Sequence, residues 1–349
     1  MNSVSIRIGL FLVIIFTMIG SDIFAQSAQN VSSVNRVGTT AGQFLKIGAG
    51  ARPIGMGGSY VALANDITAV YWNPAGLSRV VGNGEAIFNH AAWLADTDYN
   101  FAAVSLNMTG FGSIGFQVIS FSTPEQDVRT IPNPEGTGQK WSGNFISLGL
   151  TYARSLTDKF SIGFTGKYVQ EKIFNARSHG AAFDVGILYI TPLNSLTLGA
   201  SITNFGTKMR LDGRDLFFNE DPPTTPQGGV SDVPAKYRTE QFDLPLNLRI
   251  GLAWQAMQTE NFRLILSVDG TQPNDNSEYV NSGLELGILN TVFLRGGYKS
   301  WLKENSEEGF TFGAGIKYDA VGTNLKLDFG WADYGRLNDV KFVSFAIRY

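Results

Sequence analysis

From about Gly84 to Tyr349, large apolar residues alternate with small or polar ones at period two, the pattern of extended strands with one apolar face. Leu246, Leu248, Ile250, Leu252 and Trp254 interleave with Asn247, Arg249, Gly251, Ala253 and Gln255. Leu325, Leu327, Phe329 and Trp331 do the same against Lys326, Asp328 and Gly330. The alternation predicts about fourteen strands of roughly ten residues each, the tilted length that crosses a bilayer. They fall at 84–94, 98–108, 111–121, 144–154, 159–170, 181–191, 195–205, 245–256, 261–270, 279–289, 291–300, 309–318, 323–332 and 340–349.

The links between these segments alternate in length. Tight turns at Thr109-Gly110, 156–158, 191–194, Thr259-Glu260, Asn290 and 319–322 are interleaved with longer links at 122–143, 171–180, 206–244, 271–278, 301–308 and 332–339. Only the first link on the long side, 95–97, is short. A β-sandwich, propeller or solenoid gives no reason for this asymmetry. A transmembrane antiparallel barrel does, with short turns on the periplasmic side and long loops outside. Trp93, Tyr152, Tyr168, Tyr189, Trp254, Tyr298 and Tyr318 stand near strand ends, where interfacial aromatic girdles form.

Composition narrows the class further. The 349 residues carry a net charge of −3, with no basic excess to neutralise nucleic-acid phosphates. The absence of cysteine rules out a disulfide framework and an acylated cysteine anchor. At the start, Arg7, an apolar run from Ile8 to Ile19 and the stretch ending at Ala25 read as a secretory signal peptide over 1–25, cleaved before Gln26. That assigns 26–83 to a segment preceding the barrel and 84–349 to the barrel itself, in the bacterial outer membrane with lipid as its first partner.

If the apolar face meets lipid, the opposite face lines the lumen. In the C-terminal half it carries Arg249, Arg263, Arg295, Lys317, Lys326 and Arg348 with Asp269, Glu285 and Asp328. Such charges either attract an anionic solute or acidic plug, or pair to keep the lumen filled and rigid, and pairing is the expectation for enclosed charges. In the longest loop, Leu216-Phe217-Phe218 is an apolar triplet in a solvated segment, so Phe217 and Phe218 are candidate partner contacts or part of a lid. The 122–143 loop is a second candidate cap. Only two histidines occur, and His179 beside Ser178 and Asp184 is the one faint catalytic grouping. The sequence gives no cofactor, no metal site and no enzyme.

The segment GAGARPIGMGGSYVALANDITAVYWNPAGL, Gly48 to Leu77, crowds its glycines as a phosphate loop would. It lacks the Lys-Ser/Thr of a P-loop, and Pro53 stands where a dinucleotide fingerprint needs its third glycine. Glycines such as Gly55, Gly57 and Gly58 suit a chain folded tightly against a wall. Asn65-Asp66 and Asn73-Pro74-Ala75 supply helix starts, with Gly76 free to end the second turn. The expectation is a small helical plug.

From Phe44 to Leu77 the sequence closely resembles the N-terminal signature of the PorV/PorQ family of outer-membrane proteins, and its Asn-Pro-Ala core is similar to that of the broader FadL-like transporters. The resemblance implies a fourteen-stranded barrel with an N-terminal plug. From its PorV branch it implies a type IX secretion accessory that binds cargo bearing a C-terminal signal domain, alongside other secretion components. From its FadL branch it implies a channel for hydrophobic small molecules with a lateral opening in the wall.

Overall fold

The computed structural model describes residues 36–193, 195–221, 232–303, 306–320 and 322–349. The signal-peptide expectation at 1–25 and the start of the plug segment lie outside the described residues. Fourteen long strands form the wall: β1 Gly84–Ala92, β2 Asp98–Met108, β3 Gly112–Ser122, β4 Gly143–Ser155, β5 Phe160–Ile173, β6 Ala176–Ile190, β7 Leu196–Gly206, β8 Asn247–Gln258, β9 Phe262–Pro273, β10 Tyr279–Ile288, β11 Val292–Trp301, β12 Phe310–Ala320, β13 Thr323–Asp333 and β14 Asp339–Arg348. Each pairs antiparallel with its sequence neighbour, and β1 also pairs with β14, with Phe88 opposite Phe345. The sheet therefore closes into a barrel and leaves no free edge.

Its outer face is apolar. Phe88, Leu150, Ile187, Ile250, Leu284, Phe312 and Phe345, from seven different strands, are all exposed. A soluble monomer rarely shows contiguous apolar patches beyond a few hundred Å², so a surface of this kind belongs in lipid. Many inward positions are small or polar, as Ser161, Thr165, Ser201, Ser267 and Thr311 illustrate, and larger rings such as Tyr99, Phe101 and Phe342 also turn inward; all of these are buried. Among the described residues no helix is long and apolar enough to span a membrane.

Three sequence expectations need correction. The 171–180 stretch is not a long loop, because β5 and β6 run on to Ile173 and Ala176 and turn over two residues, with Phe174 at φ 51°. The strands rise past the apolar belt there, so polar residues occupy both faces and the alternation fades. The 122–143 loop does not cap the pore. It extends as a solvated ribbon, Gln126–Asp127 against Lys140–Trp141, with Ile131 fully exposed. Trp93 is not part of a lipid-facing girdle, since its ring turns onto Tyr334 and Phe342 at centroid distances of 5.1 and 6.1 Å.

Candidate functional site: the plug and the two mouths it separates

The segment from Gln43 to Arg79 fills the lumen as four short turns: Gln43–Lys46, Ala51–Gly55, Ala69–Trp72 and Pro74–Arg79. None is long enough to be stable alone, so the wall holds them. Asp269 on β9 accepts hydrogen bonds from the backbone N–H groups of Tyr60 at 2.7 Å and Val61 at 2.8 Å. Thr311 on β12 accepts from Gly57 N at 2.9 Å, and Ser344 on β14 accepts from Ala51 N at 2.8 Å. On the opposite side Ser201 on β7 donates to the Trp72 carbonyl at 3.1 Å, and Asn73 donates to the β6 carbonyl of Ile187 at 3.0 Å. Backbone groups that such short turns leave open are thereby satisfied by the wall.

The fit is close because glycine faces the plug around the wall. Gly163 meets Pro74, Gly186 meets Asn73, Gly199 meets Ala62, Gly283 meets Met56 and Gly313 meets Gly55. Among plug glycines the tightest against the wall is Gly57, at φ 68°, where a Cβ would lie 2.5 Å from the Ser282 carbonyl oxygen. Gly55 lies against Gly313, and Gly58, at φ 72°, lies against Trp72 and Asn281.

Asn73 caps its turn as expected, whereas the Ala69–Trp72 turn starts from Thr68 without a side-chain cap and Asp66 bonds just ahead of it. Asp66 accepts from the N–H of Thr68 at 3.0 Å, and Asn73 accepts from that of Ala75 at 3.2 Å with Pro74 opening the turn. Gly76 does not end that turn, which runs on to Arg79. Its small size is needed because a Cβ there would collide with the Ala64 carbonyl.

One plug side chain missing from the sequence-based candidates is central. Arg52 is the only charged residue between Lys46 and Asp66, and a lone cation in such an apolar stretch was the available signal for a carboxylate partner. Its guanidinium pairs with Glu285 at 2.8 Å and Asp66 at 2.8 Å, and also donates to Tyr60 Oη and Asn65 Oδ1, each at 2.8 Å. Burial pushes the Asp66 carboxyl up, but Arg52 and then Lys326 more than offset this and hold it well below the usual carboxylate range. Burial and the neighbouring Asp66 push the Tyr60 phenol up, so it stays protonated and donates to Asp66 at 2.6 Å.

The predicted lumen charges all sit on inward positions. Glu285 receives Arg263 at 3.0 Å and Arg295 at 2.8 Å in addition to Arg52, and Arg295 also reaches Asp328 at 2.7 Å. Lys326 and Arg348 share Glu85, at 3.3 and 3.1 Å, and Lys317 pairs with Asp319 at 3.0 Å. Arg249 stands apart from these, its guanidinium 5.2 Å from the centre of the Trp72 ring. Phe217 and Phe218 are far along the outer loop in a ribbon, Phe217–Glu220 against Val233–Lys236. There Phe218 stacks on Tyr237 at 4.4 Å, and the exposed Phe217 ring carries Lys236 4.9 Å above it. His179 and Ser178 are adjacent on β6 and therefore point to opposite faces, His179 exposed and Ser178 buried, so no triad forms.

The plug leaves a recess at each mouth. The outer one, about 320 Å³, lies between the Gln43–Ile47 strap and the outer ends of the wall, where Phe44, Trp93, Phe121, Phe145 and Tyr334 give it aromatic walls and Ile47 adds an aliphatic patch. Phe121 and Phe145 stack at 5.6 Å, and Phe44 lies 5.8 Å from Phe145. Its polar edge is Glu171, which accepts from Gly42 N at 2.7 Å, with Glu308, which accepts from Lys299 at 2.8 Å. Burial would raise the Glu308 carboxyl, but the Lys299 ammonium and a Ser300 hydroxyl hold it down at about 2. The inner recess, about 220 Å³, is lined chiefly by charge.

Each of the fourteen neighbouring strand pairs is in register, with local shifts at Gln255/Met257, Val280/Ser282 and Phe183/Val185, and among the described residues the wall has no lateral gap. The sequence matches no protein-family model and no curated relative. The structure is similar to TodX, the toluene transporter of Pseudomonas putida, at a TM-score of 0.53 and 14% identity, covering 86% of this chain and 97% of that one. TbuX, the toluene transporter of Ralstonia pickettii, gives 0.53 and 12% over the same shares. A Pseudomonas aeruginosa FadL homologue gives 0.50 and 12%, again over 86% and 97%. The chain thus has the fold of the FadL-like outer-membrane barrels.

Proposed function

We propose that this protein is a non-enzymatic outer-membrane channel that admits small hydrophobic molecules from outside, with the aromatic recess at the outer mouth as its entry site. That recess is the observation that carries the reading. Its volume, about 320 Å³, is at the lower end of small-molecule pockets, and rings form most of its wall with a few polar groups at the rim. The likeness in fold to two toluene transporters adds support for an aromatic or similarly compact ligand. The lateral opening implied by the FadL branch is absent among the described residues, which counts against a path through the wall as it stands; on this reading the structure is a closed state, and passage requires the plug or a strand seam to move.

The test is equilibrium binding of the fluorescent apolar probe N-phenyl-1-naphthylamine to the purified protein in detergent, with toluene as competitor. Saturable binding that toluene displaces, weakened about tenfold by Phe145→Glu, supports the channel. Absence of binding sinks it.

A second reading, a PorV/PorQ-type secretion accessory, draws on the Phe44–Leu77 signature and on the outer ribbon with its exposed Phe217 and Tyr237. The sealed wall favours it as well, because a docking protein needs no path through itself. Affinity capture of secreted proteins sharing a C-terminal domain, lost on Phe217→Ser with Phe218→Ser, is its signature. Unchanged capture removes those two rings from the interface.

A further inference from the structure

We propose that the inner vestibule is a binding site for a small soluble oxyanion, a phosphate or compact polycarboxylate, held jointly by the plug and the wall. The vestibule opens on the short-turn side. It is bounded by Asn290 in the β10–β11 turn, by the plug's last residues before β1, and by the inner ends of β9 to β14.

Its lining contains seven cationic side chains and two carboxylates, Glu285 and Asp328. Glu85, Asp66 and Asp319 pair with these cations from behind or beside them, which still leaves positive charge in excess. The shortage shows in the bonding. Glu285 alone serves three guanidinium groups, those of Arg52, Arg263 and Arg295. Arg79 reaches only neutral oxygens, Ser161 Oγ at 2.9 Å and the Asp158 carbonyl at 3.0 Å.

Three guanidinium nitrogens, Arg79 Nη2, Arg263 Nε and Arg348 Nε, are buried without a hydrogen-bond partner. All three residues line this one recess. A buried donor left open costs about 1–3 kcal/mol, so open guanidinium donors beside surplus positive charge favour an anionic acceptor here. Guanidinium forks match the oxygens of phosphate and carboxylate, and a modest rotation about the long side chains brings the open donors onto such an anion.

The size sets the class. About 220 Å³ admits a phosphate or a compact polycarboxylate but no folded segment. The recess also faces the lumen rather than the lipid, which excludes a headgroup of the surrounding bilayer. Arg52, Asn65 and Arg79 come from the plug and its exit, while Arg263, Lys317 and Arg348 come from the wall. A bound oxyanion therefore bridges the two and tightens the plug. This site is independent of the channel reading and stands if the outer recess binds nothing.

The experiment is isothermal titration of the detergent-solubilised full chain with inorganic phosphate, against sodium chloride at matched ionic strength. A parallel titration uses a hexaglutamate peptide, and hydrogen exchange is followed across 48–79. Saturable phosphate binding is expected, with slower exchange in the plug and about tenfold weaker binding in both Arg79→Gln and Arg263→Gln. Arg263→Lys should recover part of the affinity. Heat-modifiable migration in gels checks that each variant is a folded barrel, and Arg79, outside the strands, gives the variant least able to disturb the wall. No heat beyond chloride, binding unchanged in both variants, or binding of the peptide but not of phosphate overturns the proposal.

Discussion

The two mouths of this barrel are built from the same parts, a plug end and a ring of strand ends, yet one is lined by rings and the other by charges. At the outer mouth Phe121 stacks on Phe145, Phe44 lies tilted against Phe145 and Trp93 meets Tyr334 edge to face, while the ion pairs Lys46–Asp275 and Lys299–Glu308 are kept to the rim. At the inner mouth Arg52, Arg263 and Arg295 converge on one carboxylate. Rings tolerate many apolar shapes and hold none of them rigidly. A buried charge network has few satisfactory geometries, so it fixes whatever it touches. On the proposed reading the outer end receives the ligand, while the charge network at the inner end holds the plug.

The most drastic way to break this division is to make the plug too large for the wall. Gly57→Val would drive a side chain into the Ser282 and Tyr298 backbone at a positive φ. We expect the plug to be displaced, and planar-bilayer recordings to change from silent to open conductance. A variant that remains silent with normal plug protection would show that the fit is less demanding than the distances imply.

Next in size is Arg52→Ala, which strips Glu285 and Asp66 of a shared partner. Breaking a buried pair costs roughly 3–5 kcal/mol, and the loss should appear as fast hydrogen exchange at 48–79 with the strands still protected. If the strands lose protection to the same degree, plug and wall are one cooperative unit.

Acid should loosen the same lock. The Asp66 carboxyl titrates lower in the folded protein than in an unfolded chain, near 3.9, so its contribution is complete above about pH 4 and fades as pH falls towards the folded value. Plug protection should be flat from about pH 8 to 5 and decline below about 4, and Asp66→Asn should remove that decline. A decline centred near pH 6 would point to a different group.

The smallest effect is expected at the outer end. Phe145→Glu should weaken apolar-probe binding and leave plug exchange unchanged. Any effect of this variant on the plug would mean that the two mouths are energetically coupled.

The wall was almost wholly legible in the sequence because lipid reverses the usual burial rule and forces large apolar residues outward at every second position. Leu248, Ile250 and Leu252 against Arg249 and Gly251 state that rule directly. It fails where the strands leave the bilayer: Glu171 and Lys172 at the top of β5 put polar side chains on both faces and read as loop. The plug follows no period because the wall, not a repeating face, shapes it. Its helix start at Asn73 was readable, and so was the Asp66 bond just ahead of the other turn, as local capping chemistry usually is. The grip of Arg52 on Glu285 was not, since it joins residues 233 positions apart. The inward placement of Arg263, Arg295, Lys326 and Arg348 followed from alternation, but which carboxylates they share depends on barrel closure.

The seam between β1 and β14 joins the two ends of the wall, whereas most other seams join neighbours across short turns. The plug precedes β1, yet it bonds to β6, β7, β9, β12 and β14. Assembly is therefore ordered: hairpins can form locally and early, but the last seam is the slow, long-range step. Only the closed wall offers all these partners at once, so the plug reaches its full bonding when that seam zips. Closing the seam converts a set of individually weak turns into a captive.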